Sequence, residues 1–413
     1  MSLPPQAPVE VVELEVSSPL DDQLTGWQSG AMFTRAQALI RCHGKPLGIM
    51  EIADLPGIDT AGLRTLVERA FGPEIRRRRC AVPSPQPELP PADLPPATVV
   101  VTTCGGDLEP ILGALRSVLD MDYPGRLEVL LVDNRPATSG LAGPVGAQIP
   151  DPRLRIVPEP RRGLSAARNR GLLEATGDVV AFTDDDVVVD RHWLSALVGA
   201  LVEERADCAT GLILPSELRT PAQLMREELG GFGKGFSRRV FEAAGSDADP
   251  MYPYSPGLYG SGASAAFRRG ALREMGGFDE ALGAGTKALG GEDLDIYLSC
   301  ILAGRRLVYE PAAMLRHRHH PGEREFRRQV LHYGAGLSAM LTKRFLLSAQ
   351  ERRAITRRLP LGLRMLTSQR TRGTATAPRL AAPPRSLAVL QIVGMLYGPI
   401  AYLRSRRALA TLH

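Results

Sequence analysis

Three places in this chain gather residue types that do chemistry. Phe182-Thr183-Asp184-Asp185-Asp186-Val187 sets three carboxylates at the mouth of an apolar run. Carboxylates crowded there repel one another unless a cation is present, and hard oxygen ligands suit Mg2+ or Mn2+. The usual partner of such a cation is a diphosphate. Asp is also common in solvated turns after strands, so the motif alone leaves that reading open. Gly290-Gly291-Glu292-Asp293-Leu294-Asp295 opens a helical stretch whose apolar side includes Leu294, Tyr297, Leu298 and Leu302. Acidic residues there offset the helix dipole. The sharper reading is a general base across a crevice from the metal. His317-Arg318-His319-His320 holds three of the chain's seven histidines. One of them would complete a metal site with carboxylates, and the others read as a polar surface loop.

These residues need elements to hold them. From Thr98 the pattern alternates between strand and helix. Thr98–Thr103, Leu127–Val132, Leu154–Val157 and Val179–Thr183 are apolar strand-like runs. Leu108, Ile111, Leu112, Leu115, Val118 and Leu119 recur at helical spacing. Leu164–Ala175 and Trp193–Val202 are further helical stretches. Strands alternating with helices predict an α/β fold with a parallel, doubly wound sheet. Such sheets bind ligands at the carboxyl ends of their strands. Thr103, Asp133 and Asp184 all fall at such ends, so they are expected to converge on one crevice.

The composition narrows the class. The chain has 413 residues, 44% hydrophobic and 23% charged, which excludes a mainly disordered or multi-span membrane protein. The net charge is +5, and only Lys45, Lys234, Lys287 and Lys343 are lysines. Arginine is spread everywhere without interleaved aromatics, so no nucleic-acid partner is expected. Cys42, Cys80, Cys104, Cys208 and Cys300 form no metal-type spacing and read as free thiols in a reducing compartment. Met1–Glu10 has neither a basic nor an apolar leader region, so a cytoplasmic location is expected.

Four segments follow. Residues 1–75 form a small α+β piece, with a strand at Val11–Val16, a hairpin around His43-Gly44 and a helix over Thr60–Phe71. Residues 76–97 are a linker with Arg76-Arg77-Arg78-Arg79 and seven prolines in Ala81–Ala97. Residues 98–322 are the α/β domain, and residues 323–413 are a helical region with an Arg-rich stretch broken by prolines over Glu351–Arg385. Leu387–Leu403 is apolar apart from Gln391, Gly394, Gly398 and Pro399, and Arg404, Arg406 and Arg407 follow it. It is just short of the roughly 20 residues a spanning helix needs. It reads either as a buried helix or as an interfacial helix, with 387–407 in peripheral contact with an anionic membrane at its inner face.

Six motifs in order resemble the inverting family 2 glycosyltransferases. They are the strand Leu127–Asn134 ending Val-Asp-Asn, Gly163-Leu164-Ser165-Ala166-Ala167-Arg168-Asn169, Asp184-Asp185-Asp186, Gly276-Gly277-Phe278-Asp279-Glu280, Gly291-Glu292-Asp293, and Tyr309-Glu310-Pro311 followed by His317. The resemblance covers Thr98 to about His320 and implies a GT-A, Rossmann-like nucleotide-diphospho-sugar transferase domain. It implies a nucleotide-sugar donor, a UDP-sugar first among them, and an acceptor hydroxyl of unknown type. Asp133, Thr103, Gly163 and Arg168 would then form the nucleotide pocket. Asp184 and Asp185 would also face the nucleotide sugar. Asp186 and His317 would bind Mn2+ or Mg2+, and Asp293 would be the base. Glu292 and Trp193 would lie on the acceptor side, Trp193 stacking on sugar unless it is a core residue.

The chain departs from the family at Cys104-Gly105-Gly106, where relatives often carry Asn or Arg. It departs again at Ser264, where relatives usually carry Asn, near the acceptor or donor phosphate. Two other classes stay open. A nucleotidyltransferase would need a basic phosphate loop after the first strand, and Cys104–Asp107 has no Lys or Arg. A degenerate transferase-fold binding scaffold would not need Asp184, Asp186, Asp293 and His317 together.

Overall fold

The computed structural model describes residues 8–20, 23, 33–80, 94–245, 249–367 and 385–411. The apolar runs of the sequence become the inner strands of one large sheet. β4 (Ala97–Thr103) is buried along its whole length and pairs in parallel with β5 (Leu127–Asp133) and β7 (Val179–Asp184). β6 (Leu154–Pro158) extends this parallel half beyond β5. The amphipathic run becomes α2 (Leu108–Leu119), which buries Ile111, Leu112, Leu115 and Val118 and is capped by the Asp107 carboxylate. α3 (Pro136–Ser139), α4 (Ala142–Gln148) and α5 (Leu164–Glu174) follow the next strands.

The sheet is mixed rather than purely parallel, which corrects the doubly wound expectation. β11 (Ala265–Arg268) lies antiparallel between β7 and β9 (Cys208–Pro215). β12 (Leu307–His317) is parallel to β9, and β8 (Val187–Val189) and β10 (Arg239–Phe241) run antiparallel to it. β11 is entered from the stretch after β10, which among the described residues holds only the short 3-10 turn Pro256–Leu258 and no crossover helix, and it leads directly into α8 (Arg269–Glu274). α6 (Trp193–Glu203) and α7 (Pro221–Glu228) flank this half.

The first segment is a three-stranded sheet with one helix. β1 (Glu10–Glu15) is parallel to β2 (Ala36–Cys42), which forms a hairpin with β3 (Lys45–Ile52). His43 and Gly44 both take positive φ, 51° and 74°, as a tight two-residue hairpin turn requires. α1 runs from Thr60 to Cys80, so the expected boundary at residue 76 falls inside a helix that continues through the arginines. Most of the proline-rich stretch, 81–93, lies outside the described residues. The segment docks on the main sheet, with Leu39 packed among Leu212, Leu214, Tyr309 and Met314. Glu13 pairs with Arg316 at 2.6 Å and Arg41 with Asp190 at 2.9 Å.

α9 (Glu292–Leu302) carries the second acidic motif. Beyond β12 come α10 (Glu323–Leu347), α11 (Ala349–Thr367) and α12 (Arg385–Ala410). α11 passes through Pro360, so this part of the Arg-rich stretch is helical rather than broken. α10 braces α9. Asp295, 2% exposed, accepts from Arg344 at 2.8 Å and from Lys343 at 2.6 Å. Cys42, Cys208 and Cys300 are buried free thiols and Cys104 is an exposed one.

Candidate functional site

Register brings the site together. Thr103 lies opposite Asp133, and Thr102 opposite Asp184, so the three strand ends sit side by side. Asp133 is buried, and one of its oxygens accepts from the Arg135 N–H at 2.9 Å while the Ser139 hydroxyl donates to the other. Asn134 pins the neighbouring turn. Its amide donates to the carbonyls of Glu159 and Arg161, and its oxygen accepts from the Gly163 N–H at 2.9 Å. Gly163 has φ +134°, a conformation open to glycine alone, and this turn launches α5. Thr103 is buried, and its hydroxyl accepts from the Gly105 N–H at 3.0 Å.

The acidic turn after β7 faces β12. Asp184, Asp186 and His317 offer ligand atoms that all lie within 4.8 Å of one another. His317 Nε2 is 3.5 Å from Asp186 and 3.9 Å from Asp184. His317 Nδ1 lies 3.1 Å from the Arg318 carbonyl, an oxygen that can only accept, so Nδ1 donates there and Nε2 is the ring nitrogen that faces the carboxylates. Burial and the Asp184 charge push the Asp186 pKa up. Burial, with help from Asp186 and Asp184, raises Asp185 to about 6 against the Thr103 hydroxyl bond. Two carboxylates and one imidazole are a suitable donor set for a hard or borderline divalent ion. His319 does not join them. It is buried and bonded to Glu227 at 2.6 Å, and burial lowers its pKa.

Arg168 ties this turn to α9. Its side chain is 3% exposed and lies 3.1 Å from Glu292 and 3.5 Å from Asp184. Burial opposes its charge, but Glu292, Asp184 and Asp293 outweigh that and hold the guanidinium charged. Glu292 is itself buried, and burial and the adjacent Asp293 raise its pKa. Gly262 passes so close that a Cβ there would stand 2.6 Å from the guanidinium. The Gly262 N–H donates to Asp293 Oδ2 at 3.0 Å, and the Leu294 N–H donates to Oδ1 at 2.8 Å. Asp293 is thus oriented at the half-open N-terminus of α9.

Two expectations are corrected. Trp193 is wholly buried, and its indole N–H donates to the Ser264 hydroxyl at 2.9 Å. No face of the ring is open to a sugar, because α6 sets it in the core between β9 and β11. Ser264 is equally buried, so it answers Trp193 rather than a substrate phosphate. Glu292 presents its carboxylate to Arg168 instead of to the acceptor side, because the buried guanidinium stands 3.1 Å away and compensates its charge.

Two links were missed from the residues alone. Asn169 exchanges hydrogen bonds with the Phe278 backbone at 2.8 Å in both directions, joining two of the sequence motifs. The Asp295 pairing with Lys343 and Arg344 spans distant segments and leaves no short-range signal.

Residues 98–276 match the family described as Glycosyl transferase family 2. The matched segment ends before Asp293 and His317, which the structure adds to the same crevice. The chain is 34% identical over 188 residues to a pre-mycofactocin glycosyltransferase of Mycobacterium tuberculosis, covering 44% of this chain and 36% of that protein. It therefore spans about a third of that relative's length. It is 27% identical over 165 residues to a glucosyl-dolichyl phosphate glucuronosyltransferase of Haloferax volcanii, covering 38% of this chain and 48% of that one. Among solved structures it aligns with a mannosyltransferase of Pyrobaculum calidifontis in complex with GDP-Man and Mn2+. That match has 20% identity and a TM-score of 0.48, and covers 82% of this chain and 97% of the other.

Proposed function

We propose that this chain, whose residues 98–276 match the family described as Glycosyl transferase family 2, moves a sugar from a nucleotide-diphosphate donor to an acceptor hydroxyl, with inversion at the anomeric carbon. One observation carries the reading. A metal-type set, Asp184, Asp186 and His317, shares a crevice with a separately oriented carboxylate, Asp293. Arg168 and Glu292 join the two through buried charge contacts.

Each part then has a task. Thr103, Asp133 and the Gly163 turn form the nucleotide pocket at the strand ends, with Asp185 beside Thr103. A divalent cation, Mn2+ or Mg2+, held by Asp184, Asp186 and His317 would supply positive charge for the departing diphosphate. Asp293 takes the proton of the acceptor hydroxyl as its oxygen attacks the anomeric carbon. The bond to the diphosphate oxygen breaks with its electron pair, and one displacement inverts the centre. Arg168 and Glu292 position Asp184 and α9 and do not touch the reacting atoms.

The membrane reading joins this one at α12. Gly394 and Gly398 lie against α10, where a Cβ would meet the Leu331 carbonyl at 2.1 Å and the Ser338 hydroxyl at 2.0 Å. Small residues at this spacing let two helix backbones meet closely. The clamp turns Val389, Ile392, Val393, Leu396, Ile400 and Leu403 outward, and Leu396 is 73% exposed. Arg404, Arg406 and Arg407 follow on exposed positions. An apolar stripe ending in arginines suits the surface of an anionic bilayer, and a helix clamped along one side lies in the interface rather than crossing it.

The test is a thermal-shift panel of UDP, GDP, ADP and dTDP, each with and without Mn2+. One nucleotide, a uridine nucleotide on this reading, raises the melting temperature only with Mn2+, and Asp186→Ala abolishes the gain. Asp293→Asn keeps the gain and loses release of nucleoside diphosphate from the donor sugar. Turnover retained in Asp293→Asn refutes the assignment of the base.

A further inference from the structure

The first segment grips the main sheet through four charged side chains that alternate in sign. Asp190, just past β8, lies 2.9 Å from Arg41 on β2. Arg41 lies 2.9 Å from Glu13 on β1. One Glu13 oxygen accepts from Arg316 on β12 twice, at 2.6 Å and 3.1 Å. Arg41 and Asp190 are only 14% and 15% exposed, so this pair is shielded from water as open surface pairs are not. Two members of the chain belong to the segment and two to the main sheet.

The two main-sheet members bracket the metal set. β8 and β12 pair antiparallel, with His317 opposite Val187, Arg316 opposite Val188 and Leu315 opposite Val189. Asp186 directly precedes β8, and its carbonyl accepts from the Arg318 N–H at 3.1 Å. Asp190 directly follows β8, and its N–H donates to the Met314 carbonyl at 3.0 Å. Side chains alternate along a strand, so Arg316 reaches Glu13 while its neighbour His317 turns to the carboxylates. Leu39 of the segment packs on Leu212, Leu214 and Met314 beside Arg316.

β8 has little hold of its own. It is three residues long and pairs with β12 alone. A slip of one residue turns the side chains of a strand to the opposite face, which would take Asp186 away from His317. The ion chain closes a loop around this pair, from Asp190 through Arg41 and Glu13 to Arg316 and back across the ladder. Arg316 is tied to β9 as well, donating to the Pro215 carbonyl at 3.1 Å. Sliding β8 along β12 therefore breaks contacts on the first segment.

We propose that the first segment is a strut for the metal set, in which Glu13 and Arg41 are positioning residues that hold β8 and β12 in the register that brings Asp186 and His317 together. This rests on the metal part of the transferase reading above. Neither residue touches the cation or the substrates.

The test measures Mn2+ binding to the full chain by electron paramagnetic resonance of the free ion, at a temperature where circular dichroism shows every variant folded. Wild type takes up Mn2+ at a site that Asp186→Ala removes. Arg41→Met and Glu13→Gln each weaken that site roughly tenfold, the lower end of what partners behind metal ligands cost. Arg41 also donates to the Gly44 carbonyl at 2.8 Å and 3.1 Å, so Arg41→Met loosens the hairpin too. Arg41→Lys separates the two effects, because a lysine keeps the charge between Asp190 and Glu13 but not the forked bond to Gly44. It retains Mn2+ affinity within about twofold of wild type. Arg35→Met breaks a pair with Glu51 inside the same segment and leaves the affinity unchanged. Wild-type affinity in Arg41→Met and Glu13→Gln overturns the strut and leaves the metal set standing. Equal losses in Arg41→Lys and Arg41→Met, or a loss in Arg35→Met, overturn it as well, since the segment then acts through its own stability. A wild type with no Mn2+ uptake that depends on Asp186 overturns the metal reading and the strut together.

Discussion

Replacing Trp193 by Phe separates a core residue from a sugar platform. The ring is wholly buried and its only polar atom donates to Ser264 at 2.9 Å. Losing that hydrogen bond costs about 1 kcal/mol. The smaller ring leaves a gap of roughly 40 Å³, worth about 1 kcal/mol at ~24 cal/mol per Å³. The sum is about 2 kcal/mol, or roughly 4–8 °C in melting temperature for a domain of this size. Ser264→Ala leaves the indole N–H unsatisfied and costs about 1–3 kcal/mol. The double variant falls short of the sum by about 1 kcal/mol, because the two singles remove one shared bond. The assay is thermal and urea unfolding of all four proteins, alongside the melting increment from nucleotide and Mn2+. That increment stays unchanged in Trp193→Phe. A Trp193→Phe protein as stable as the wild type, or additive singles, would refute the core assignment.

Other outcomes follow from the same contacts. Asp295→Ala strips Arg344 and Lys343 of their shared carboxylate and costs about 3–5 kcal/mol by unfolding, since Arg344 is buried. A loss under about 1 kcal/mol would mean that α10 does not brace α9. Lys234 gives a pH signature. The unfolded chain keeps this proton to the ordinary lysine value of 10.5 and burial makes the folded chain release it at about 8, so the unfolded state binds more protons between those values. Stability relative to Lys234→Met therefore rises across pH 8 to 10.5, by about 3 kcal/mol, and a flat difference counts against the assigned surroundings. Leu396→Glu with Ile400→Glu abolishes flotation with phosphatidylglycerol vesicles and leaves the melting temperature unchanged, because both side chains point outward. Flotation of the double variant at the wild-type level would remove α12 from the interface.

Much of the site was legible in order along the chain. Apolar runs closing on Thr103, Asp133 and Asp184 had to end at one edge of a sheet, because buried strands pair and their polar ends do not. The acids of α9 had to sit at a helix start, where the dipole favours them. These are local rules, and a sequence carries local rules openly. Burial of one particular side chain is not local. Trp193 is a core residue because β9 and β11 close over α6, and the antiparallel insertion of β11 is itself a tertiary event. Glu292 pairs with Arg168 because the absence of a side chain at Gly262 leaves room for the guanidinium. The glycines of α12 read as breaks in an apolar run, and only their fit against α10 fixes which face looks out. The pairing of Asp295 with Lys343 and Arg344 leaves no mark in the sequence either, because partnership between distant side chains is decided by packing.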